Sequence, residues 1–394
     1  MTFRAAILQV IPALDAGGAE RTAVEIARAV VEAGGRALVA TSGGRLAPEI
    51  EAAGGRIFTM PVQSKNPLTI LANRDRLKRL VESERVDIIH VRSRAPAWSA
   101  LWAAKATGRK LVSTYHGAYE AKSPLKRLYN SAMVRADLVI ANSAYTAAAI
   151  RAQYAIDESR LRVIPRGADL DLFDPAKVSA ARAAALARQW GLPAGIGALR
   201  LLLPGRLTSW KGQLTAIEAA ALFVENEREK AGRSGASQAP VLQLVFAGDA
   251  QERDGYVAEL RREIDRRGVR DMIHLVGHCA DMPAAYAWAD AALSPSTRPE
   301  AFGRVAVEAA AMARPVIAAD HGGARETVVD GETGFLVTPG DARALAAAMA
   351  KVAALGAGGR AAMGARAQTR AREIYSSRAM CAATLEVYKA LAGA

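Results

Sequence analysis

The chain has 394 residues, of which 51% are hydrophobic and 23% are charged, and it contains two cysteines. This length predicts two domains, and so few cysteines exclude a disulfide scaffold and a zinc site built on cysteine pairs. The apolar runs are too short for a transmembrane helix or a secretory signal, so we expect a protein of the reducing cytosol.

The net charge of +13 is concentrated in the first half of the chain. Residues 1–190 contain 28 Lys and Arg against 17 Asp and Glu, whereas residues 191–394 contain 24 against 22. A basic half indicates an anionic partner, which could be nucleic acid, an anionic membrane surface or a lipid-linked substrate. The alternative is an arginine-rich protein without such a partner. Aromatic and basic residues are not interleaved as in single-strand binding grooves, which disfavours nucleic acid.

Short apolar runs alternate with helical patterns through the first part of the chain. Strands are predicted at residues 4–11, 37–41, 57–60, 86–91, 110–114, 137–141 and 161–164. Helices are predicted at residues 22–32, 68–84, 96–106, 122–134 and 143–153. This alternation predicts a parallel sheet that is covered on both faces.

The alternation stops at a connector, residues 166–192, and then starts again. Further strands are predicted at residues 199–203, 241–247, 273–276, 291–294 and 315–319. A Gly/Ser-rich loop is predicted at residues 232–238, and the end of the chain, 360–391, is helical. We therefore expect two α/β domains joined by a hinge, with ligands at the carboxyl ends of the strands and in the cleft between the domains.

Two glutamates, Glu300 and Glu308, stand on either side of a predicted helix start at residues 302–303. The proline before Glu300 disfavours helix, so Glu300 belongs to a loop and Glu308 to the second turn of the helix. The helix start suits a phosphate, whereas carboxylates suit sugar hydroxyls. An isolated pair of this spacing is more often an acid near a helix start and a solvated residue. A glycine loop at 321–326 and a hairpin-like turn at 330–335 are predicted to shape the site near Glu300.

A glycine turn follows the first strand of each half. Gly17 and Gly18 would let backbone N–H groups approach a phosphate, but neither the dinucleotide fingerprint nor its acidic partner is present. The second turn, residues 204–212, contains Arg206 and Lys211. Two cations on such a loop could neutralise a diphosphate leaving group, although a basic surface loop is the alternative.

Two further groups are weaker candidates. His116 follows a strand and could donate a hydrogen bond to a substrate or accept one, but a structural histidine is equally consistent. His90 lies within a strand, and we expect it to be structural. Asp169 and Asp171 have the spacing of a carboxylate pair, but they lie in the connector, so no metal site is expected.

Together these residues resemble the retaining glycosyltransferases of family 4, which have the two-domain GT-B architecture. The likeness covers nearly the whole chain and depends on the order of motifs at 17–20, 163–169, 205–212, 246–249, 300–308 and 331–334. It implies an α/β fold of two Rossmann-like, doubly wound domains facing across a cleft. Residues 1–175 would form the acceptor-side domain, with a C-terminal helix at about 376–394 packed back on it, and residues 192–375 the nucleotide-sugar domain. One departure is Arg166, where relatives commonly have Asn, and it bears on hinge contacts and acceptor preference.

The resemblance also implies site residues. The catalytic residues would be Glu300, His116, Arg206 and Lys211. The donor-binding residues would be Gly18, Arg206, Lys211, Cys279, Phe302, Gly303 and Glu308. Within these sets, Arg206 and Lys211 would bind the diphosphate and Glu308 the ribose. Glu300 and His116 would position the sugar.

The implied activity is transfer of a hexose from a UDP- or GDP-sugar to a saccharide or glycolipid acceptor, without a cofactor or metal. The basic first domain then indicates an envelope glycolipid such as a lipopolysaccharide core, with the protein cytoplasmic or peripheral on the inner membrane, and no nucleic acid partner. Two alternatives stay open. A nucleotide-sugar epimerase of the same architecture would need no acceptor, and a non-enzymatic protein that binds anionic surfaces would show steep salt dependence.

Overall fold

The computed structural model describes residues 3–15, 17–119, 121, 123–192, 197–234 and 242–393. The chain forms two compact units, Met1–Gly167 with Ser377–Ala394, and Ala168–Ser376. Within the described ranges, none of the helices combines the length and the apolar character needed to cross a bilayer.

The first unit contains, among its described residues, a parallel sheet of seven strands. They are β1 Ala6–Val10, β2 Arg36–Thr41, β3 Arg56–Thr59, β4 Ile88–Val91, β5 Lys110–Tyr115, β6 Leu138–Ala141 and β7 Leu161–Val163. Its first six helices are α1 Gly18–Glu32, α2 Ala47–Ala52, α3 Pro67–Ser83, α4 Ala97–Thr107, α5 Pro124–Asn130 and α6 Ala144–Gln153. The strand order is β3-β2-β1-β4-β5-β6-β7. Successive side chains of β1 enter different cores, Leu8 on one face and Ile7 on the other, because strand side chains alternate.

The second unit contains a parallel sheet of six strands within the part of the chain that is described. They are β8 Leu199–Pro204, β9 Leu242–Ala247, β10 Ile273–Gly277, β11 Ala291–Ser294, β12 Val316–Ala319 and β13 Gly334–Val337, in the order β10-β9-β8-β11-β12-β13. Its helices are α7 Ala180–Gln189, α8 Gln213–Ser234, α9 Asp254–Arg266, α10 Met282–Trp288, α11 Arg304–Ala311, α12 Ala324–Thr327, α13 Ala342–Ala354 and α14 Gly356–Ile374. Apolar clusters cover both faces of this sheet too. The two parallel α/β sheets confirm the predicted fold class.

The last helix, α15 Ser377–Ala392, returns to the first unit and packs against α1. Tyr388 is fully buried there, and its hydroxyl lies 2.5 Å from Nδ1 of His90. Residues 168–175, which the predicted division assigned to the first domain, belong to the second unit. The backbone N–H of Ala168 donates to the carbonyl of Tyr375, and Phe173 enters the core of that unit.

The predicted helix 122–134 is shorter in the structure. Helix α5 ends at Asn130, and a 3₁₀ turn follows at Met133–Arg135. Trp98 donates to the carbonyl of Tyr129, and the Ser113 hydroxyl donates to the carbonyl of Met133. These tertiary hydrogen bonds tie the chain on either side of the break to α4 and β5.

Two predicted irregular segments are regular in the structure. Part of the predicted hairpin-like turn at 330–335 is the start of β13, which pairs in parallel with β12. Gly334 permits this pairing, because a Cβ there would lie 2.2 Å from the carbonyl oxygen of Val316. Helix α8 continues to Ser234 through the start of the predicted loop 232–238, and residues 235–238 lie outside the described residues.

Candidate active site

The candidate site lies at the carboxyl ends of β8 and β11 in the second unit. β8 and β11 are neighbours in the sheet. The chain continues from β8 to β9 on one side of this pair and from β11 to β12 on the other, so the strand order reverses here. Open parallel sheets bind ligands at such a reversal of strand order. The segments that follow the two strands are the loop 204–212 and the segment 295–303.

Glycines hold the two loops close together. Gly212 has φ +80°, and a Cβ there would lie 2.0 Å from the carbonyl oxygen of Pro295. The backbone N–H of Thr297 donates to the carbonyl of Trp210 at 2.8 Å. On the other side, a Cβ on Gly248 would lie 1.8 Å from the carbonyl oxygen of Gly205. Larger residues at these positions would separate the loops.

Lys211 and Glu300 form an ion pair across these loops. Lys211 Nζ lies 2.9 Å from Glu300 Oε1, and the side chains are 13% and 16% exposed. The Lys211 stem passes Gly205, and its ammonium lies 4.7 Å from the centre of the Trp210 ring. The lysine is therefore held by a carboxylate and an aromatic ring at once.

The Glu300 carboxylate has two further donors beside it. The hydroxyls of Ser296 and Ser294 lie 2.5 and 3.5 Å from Oε1. Burial by itself would raise the pKa of Glu300, but the charge of Lys211 and the hydrogen bonds from Ser296, Lys211 and Ser294 outweigh it and lower the pKa. Glu300 is therefore an ionised hydrogen-bond acceptor at neutral pH and unsuited to donating a proton.

The glycine loop after β12 supports the backbone of Glu300. The N–H of Gly323 donates to the Glu300 carbonyl at 2.8 Å. Gly322 has φ +59°, and a Cβ there would lie 2.4 Å from the same carbonyl oxygen. His321 Nε2 lies 2.8 Å from the carbonyl oxygen of Ser296 and donates to it. This loop therefore positions both Glu300 and its serine partner.

Helix α11 begins at Arg304, and Gly303 is its N-cap with φ +86°. The observed start lies within two residues of the predicted one. The Phe302 ring is 2% exposed and contacts the Tyr375 ring edge-on at 5.6 Å between centroids. Its side chain belongs to the core, so only the backbone of Phe302 is available to a ligand.

Glu308 lies on the second turn of α11 and is 14% exposed. Its Oε2 accepts a hydrogen bond from the Tyr286 hydroxyl at 3.1 Å, and its Oε1 accepts one from Arg304 at 3.0 Å. Burial, followed by the charge of Glu308, raises the pKa of Tyr286 well above its ordinary value. The carboxylate is thus oriented by two donors and retains lone pairs for further hydroxyl groups.

Arg206 and Cys279 differ sharply in exposure. Arg206 is exposed, and its guanidinium lies 3.5 Å from Gln251 Oε1. Cys279 packs into the core, and burial raises the pKa of its thiol to about 11. Arg206 is therefore accessible to an anion, whereas Cys279 can offer a ligand only its backbone.

Gly18 and His116 belong to the first unit. Gly18 is the first residue of α1, after β1, and its carbonyl accepts a hydrogen bond from the Thr22 hydroxyl. His116 follows β5, and its Nδ1 forms a hydrogen bond with the Arg166 guanidinium. Because arginine can only donate, Nδ1 is the acceptor and the proton of the neutral ring is on Nε2. Arg166 thereby selects the tautomer of His116.

His116 Nε2 is a buried donor without a partner among the described residues. It lies beside a cavity of about 20 Å³ that is also lined by Arg92 and Asn142, enough for about one water. Burial and the charges of Arg166 and Arg92 hold the pKa of His116 well below its ordinary value. In contrast, both ring nitrogens of His90 have partners, Tyr388 and Thr114.

The carboxylate pair of the connector is used locally. Asp169 Oδ1 accepts hydrogen bonds from the N–H groups of Asp171 and Leu172, and Asp171 forms an exposed ion pair with Lys177 at 3.5 Å. Across the described ranges, His, Cys, Asp and Glu side chains form no group of three or more that could hold a metal ion.

Sequence reasoning missed three side chains that orient the glutamates. Arg304 could have been found from its spacing of four residues before Glu308 on one helix. Ser296 had a weaker signal, since it follows a strand end. Tyr286 had none, because it reaches Glu308 from a different helix, α10.

Both halves of the chain match known protein families. Residues 16–172 match the family described as Glycosyltransferase Family 4, and residues 197–370 match Glycosyl transferases group 1. The chain is 30% identical over 351 residues to a D-inositol 3-phosphate glycosyltransferase of Nocardiopsis dassonvillei, covering 82% of this chain and 78% of that protein. Two other relatives of that name match over 49% and 56% of their own length.

Solved structures of glycosyltransferases are also similar to this chain along nearly its whole length. A glycosyltransferase from Rickettsia africae is 32% identical, with a TM-score of 0.88 over 98% of both chains. HepE from Anabaena, solved in complex with UDP-glucose, is 26% identical, with a TM-score of 0.83 over 98% of this chain and 99% of that one. The chain therefore belongs to the family 4 glycosyltransferases and has their two-domain GT-B fold.

Proposed function

We propose that the chain is a retaining, metal-independent hexosyltransferase that uses a UDP- or GDP-sugar and a saccharide or glycolipid acceptor. The observation that carries this proposal is the shielded Lys211–Glu300 pair at the strand-order reversal of the second sheet. It combines a cation for phosphate with an ionised acceptor for hydroxyl groups. The UDP-glucose complex of HepE supports a uridine-linked donor in particular.

The donor is assigned to the second unit by the chemistry of its side chains. Exposed Arg206 and Lys211 of the same loop would bind the diphosphate, and the positive end of the α11 dipole would add partial positive charge. Glu308, oriented by Tyr286 and Arg304, would accept hydrogen bonds from the ribose hydroxyls.

Transfer requires one bond to the anomeric carbon to break and another to form. The bond between that carbon and the diphosphate oxygen breaks, and the acceptor oxygen bonds to the carbon on the face that the diphosphate leaves. The acceptor proton passes to the departing phosphate oxygen. Arg206 and Lys211 would stabilise the charge left on the diphosphate, which is the task that a metal ion would otherwise perform.

Glu300 and His116 are assigned to the transferred sugar. Glu300 would accept a hydroxyl hydrogen bond as a carboxylate, in keeping with its lowered pKa. His116 would contact the sugar as a neutral imidazole, in keeping with its lowered pKa. Both groups would position the sugar, and neither is proposed as a covalent nucleophile.

For the acceptor we propose an envelope glycolipid or saccharide, such as a lipopolysaccharide core, which the charge of the first half favours. The name of the Nocardiopsis relative makes a phosphorylated cyclitol the natural comparison. An acceptor panel should therefore contain glycolipids, neutral saccharides and inositol phosphates.

The proposal is tested by donor binding and turnover. Thermal shift with UDP- and GDP-sugars identifies the donor, because a bound ligand stabilises the fold. Turnover is then measured with and without chelator, and the anomeric configuration of the product is determined. Unchanged nucleotide release in Lys211→Ala and Glu300→Gln would show that the site is wrongly assigned. Release of an epimerised sugar nucleotide without any acceptor requirement would favour an epimerase instead.

A further inference from the structure

An apolar groove lies on the first unit, on elements that the proposed donor site does not use. Its volume is about 430 Å³, and it is formed by α3, α4 and α5. The side chains that line it include Leu71, Trp98, Trp102, Leu125, Leu128 and Tyr129.

The leucines at this groove are exposed to an unusual degree. Leu125, Leu128 and Leu71, which line the groove, are 77%, 52% and 43% exposed, and Leu68, which follows the lining residue Pro67 in the chain, is 76% exposed. Among the described residues, seven large apolar side chains are exposed, and these four are the majority of them. A concentrated apolar patch of this kind marks an interaction surface, whereas isolated apolar residues do not.

The helix starts keep these leucines exposed. Asn66 and Ser123 cap α3 and α5 by accepting backbone N–H bonds, and a proline follows each cap. Leu68 and Leu125 are therefore held in the first turn of a capped helix. The patch is a formed surface of the first unit.

Basic residues surround the apolar groove. Lys65 lines it, and the Arg135 guanidinium lies 5.3 Å from the centre of the Trp98 ring. Lys126 and Arg127 are exposed between Leu125 and Leu128 on α5. From residue 117 to residue 135 the sequence contains four basic residues and one acidic residue.

We propose that this face of the first unit docks on a lipid bilayer that carries acidic headgroups. The leucines would enter the apolar edge of the bilayer, and the Trp98–Trp102 pair would lie at the interface, where indole rings are favoured. Lysine and arginine at the rim would contact headgroup phosphates. A second copy of this chain suits the face less well, because it would bring two basic rims together.

This inference extends the acceptor side of the proposed function, since a membrane-bound enzyme meets a lipid-linked acceptor at the surface. Vesicle binding is measured without donor or acceptor. A failure to bind vesicles would not change the result of the sugar-nucleotide binding experiment. The two proposals are therefore tested separately.

The experiment is vesicle co-flotation of the full chain. Binding is expected to vesicles of phosphatidylcholine with phosphatidylglycerol, and to be much weaker to phosphatidylcholine alone or at high salt. Leu68→Ser with Leu125→Ser should reduce the partition coefficient by about tenfold or more, because each leucine loses its transfer energy. The matched control is Leu172→Ser, an exposed leucine of the second unit, which should bind as the wild type does.

A charge variant tests the rim independently. Lys126→Gln with Arg127→Gln should weaken binding to the acidic vesicles, whereas Arg228→Gln with Arg261→Gln on the second unit should not. Circular dichroism and the unfolding midpoint verify that each variant is folded. Absence of vesicle binding in the wild type, or equal binding by the leucine variant, would overturn the proposal. The proposal would also be overturned if the chain formed a concentration-dependent dimer and the same leucine changes abolished that dimer. A second copy would then cover the face.

Discussion

Lys211 Nζ and Glu300 Oε1 lie 2.9 Å apart, although the two residues are 89 positions apart in the chain. Both side chains are shielded from water, at 13% and 16% exposure. The pair joins the loop after β8 to the loop after β11. Its loss should therefore affect stability as well as activity.

Lys211→Met should lower the free energy of unfolding by about 2 kcal/mol, because it leaves the Glu300 charge shielded and unpaired. Urea unfolding measures this change. Lys389→Met is the control, since Lys389 and Glu386 form an exposed pair, and its effect should be within about 0.5 kcal/mol. Equal losses in the two variants would mean that the Lys211–Glu300 pair contributes no more than a surface pair.

Glu300 should contribute to acid denaturation. Its pKa in the folded state lies below the ordinary 4.5, so its ionised form stabilises the fold above that pH, and this stability is lost as the pH falls through the folded pKa. The stability difference between wild type and Glu300→Gln should thus shrink below about pH 4.5. Urea midpoints of both proteins from about pH 6 to about pH 3 measure it. A difference independent of pH would contradict the lowered pKa.

His116 should make the free energy of unfolding begin to fall at a higher pH than Glu300 does. Its folded pKa is lowered well below 6.5, so below that pH the unfolded chain binds a proton that the folded chain does not. The stabilising contribution of neutral His116 is therefore complete above about pH 6.5. Below that pH the free energy of unfolding decreases by up to about 1.4 kcal/mol per pH unit. His116→Gln should reduce this slope. Unfolding midpoints between about pH 7 and about pH 5 give the slope, and equal slopes would exclude a neutral His116.

Gly322→Ala should reduce both stability and turnover. The new Cβ would approach the Glu300 carbonyl oxygen and displace the carboxylate that the loop positions. Gly340→Ala is the matched control, because Gly340 has φ +75° with nothing within 4 Å of its Cβ position. Alanine is strained at both positions because φ is positive at each, but only Gly322→Ala adds a close contact. Its free energy of unfolding should therefore be lower than that of the control by at least about 1 kcal/mol. Similar turnover in the two variants would contradict the supporting role of the loop.

The two glutamates should have separable effects on catalysis. Under the proposed roles, Glu308→Gln should weaken UDP binding by about tenfold, because a charged hydrogen bond to the ribose is lost. Glu300→Gln should leave UDP binding nearly unchanged and lower kcat by about a hundredfold. Calorimetric titration with UDP and steady-state kinetics distinguish the two effects. The opposite pattern would exchange the proposed roles.

Much of the fold could be predicted because its signals are local. The alternation of apolar and amphipathic segments identified the strands of the first sheet and five strands of the second. The proline before Glu300 and the glycine at 303 located the start of α11 to within two residues. The strand β13 was missed because it has only four residues, and its first two, Gly334 and Phe335, were assigned to the predicted turn.

By itself, the sequence determined the fold class, the order of the elements and which loops carry charged and glycine residues, because these depend on neighbours in the chain. Only the tertiary structure decided which side chains meet. It paired Lys211 with Glu300, brought Tyr286 to Glu308, and used Arg166 to leave the proton of His116 on Nε2. These contacts depend on strand order and on backbone approaches that only glycine permits, so residues far apart in the chain acquire their protonation and orientation from packing.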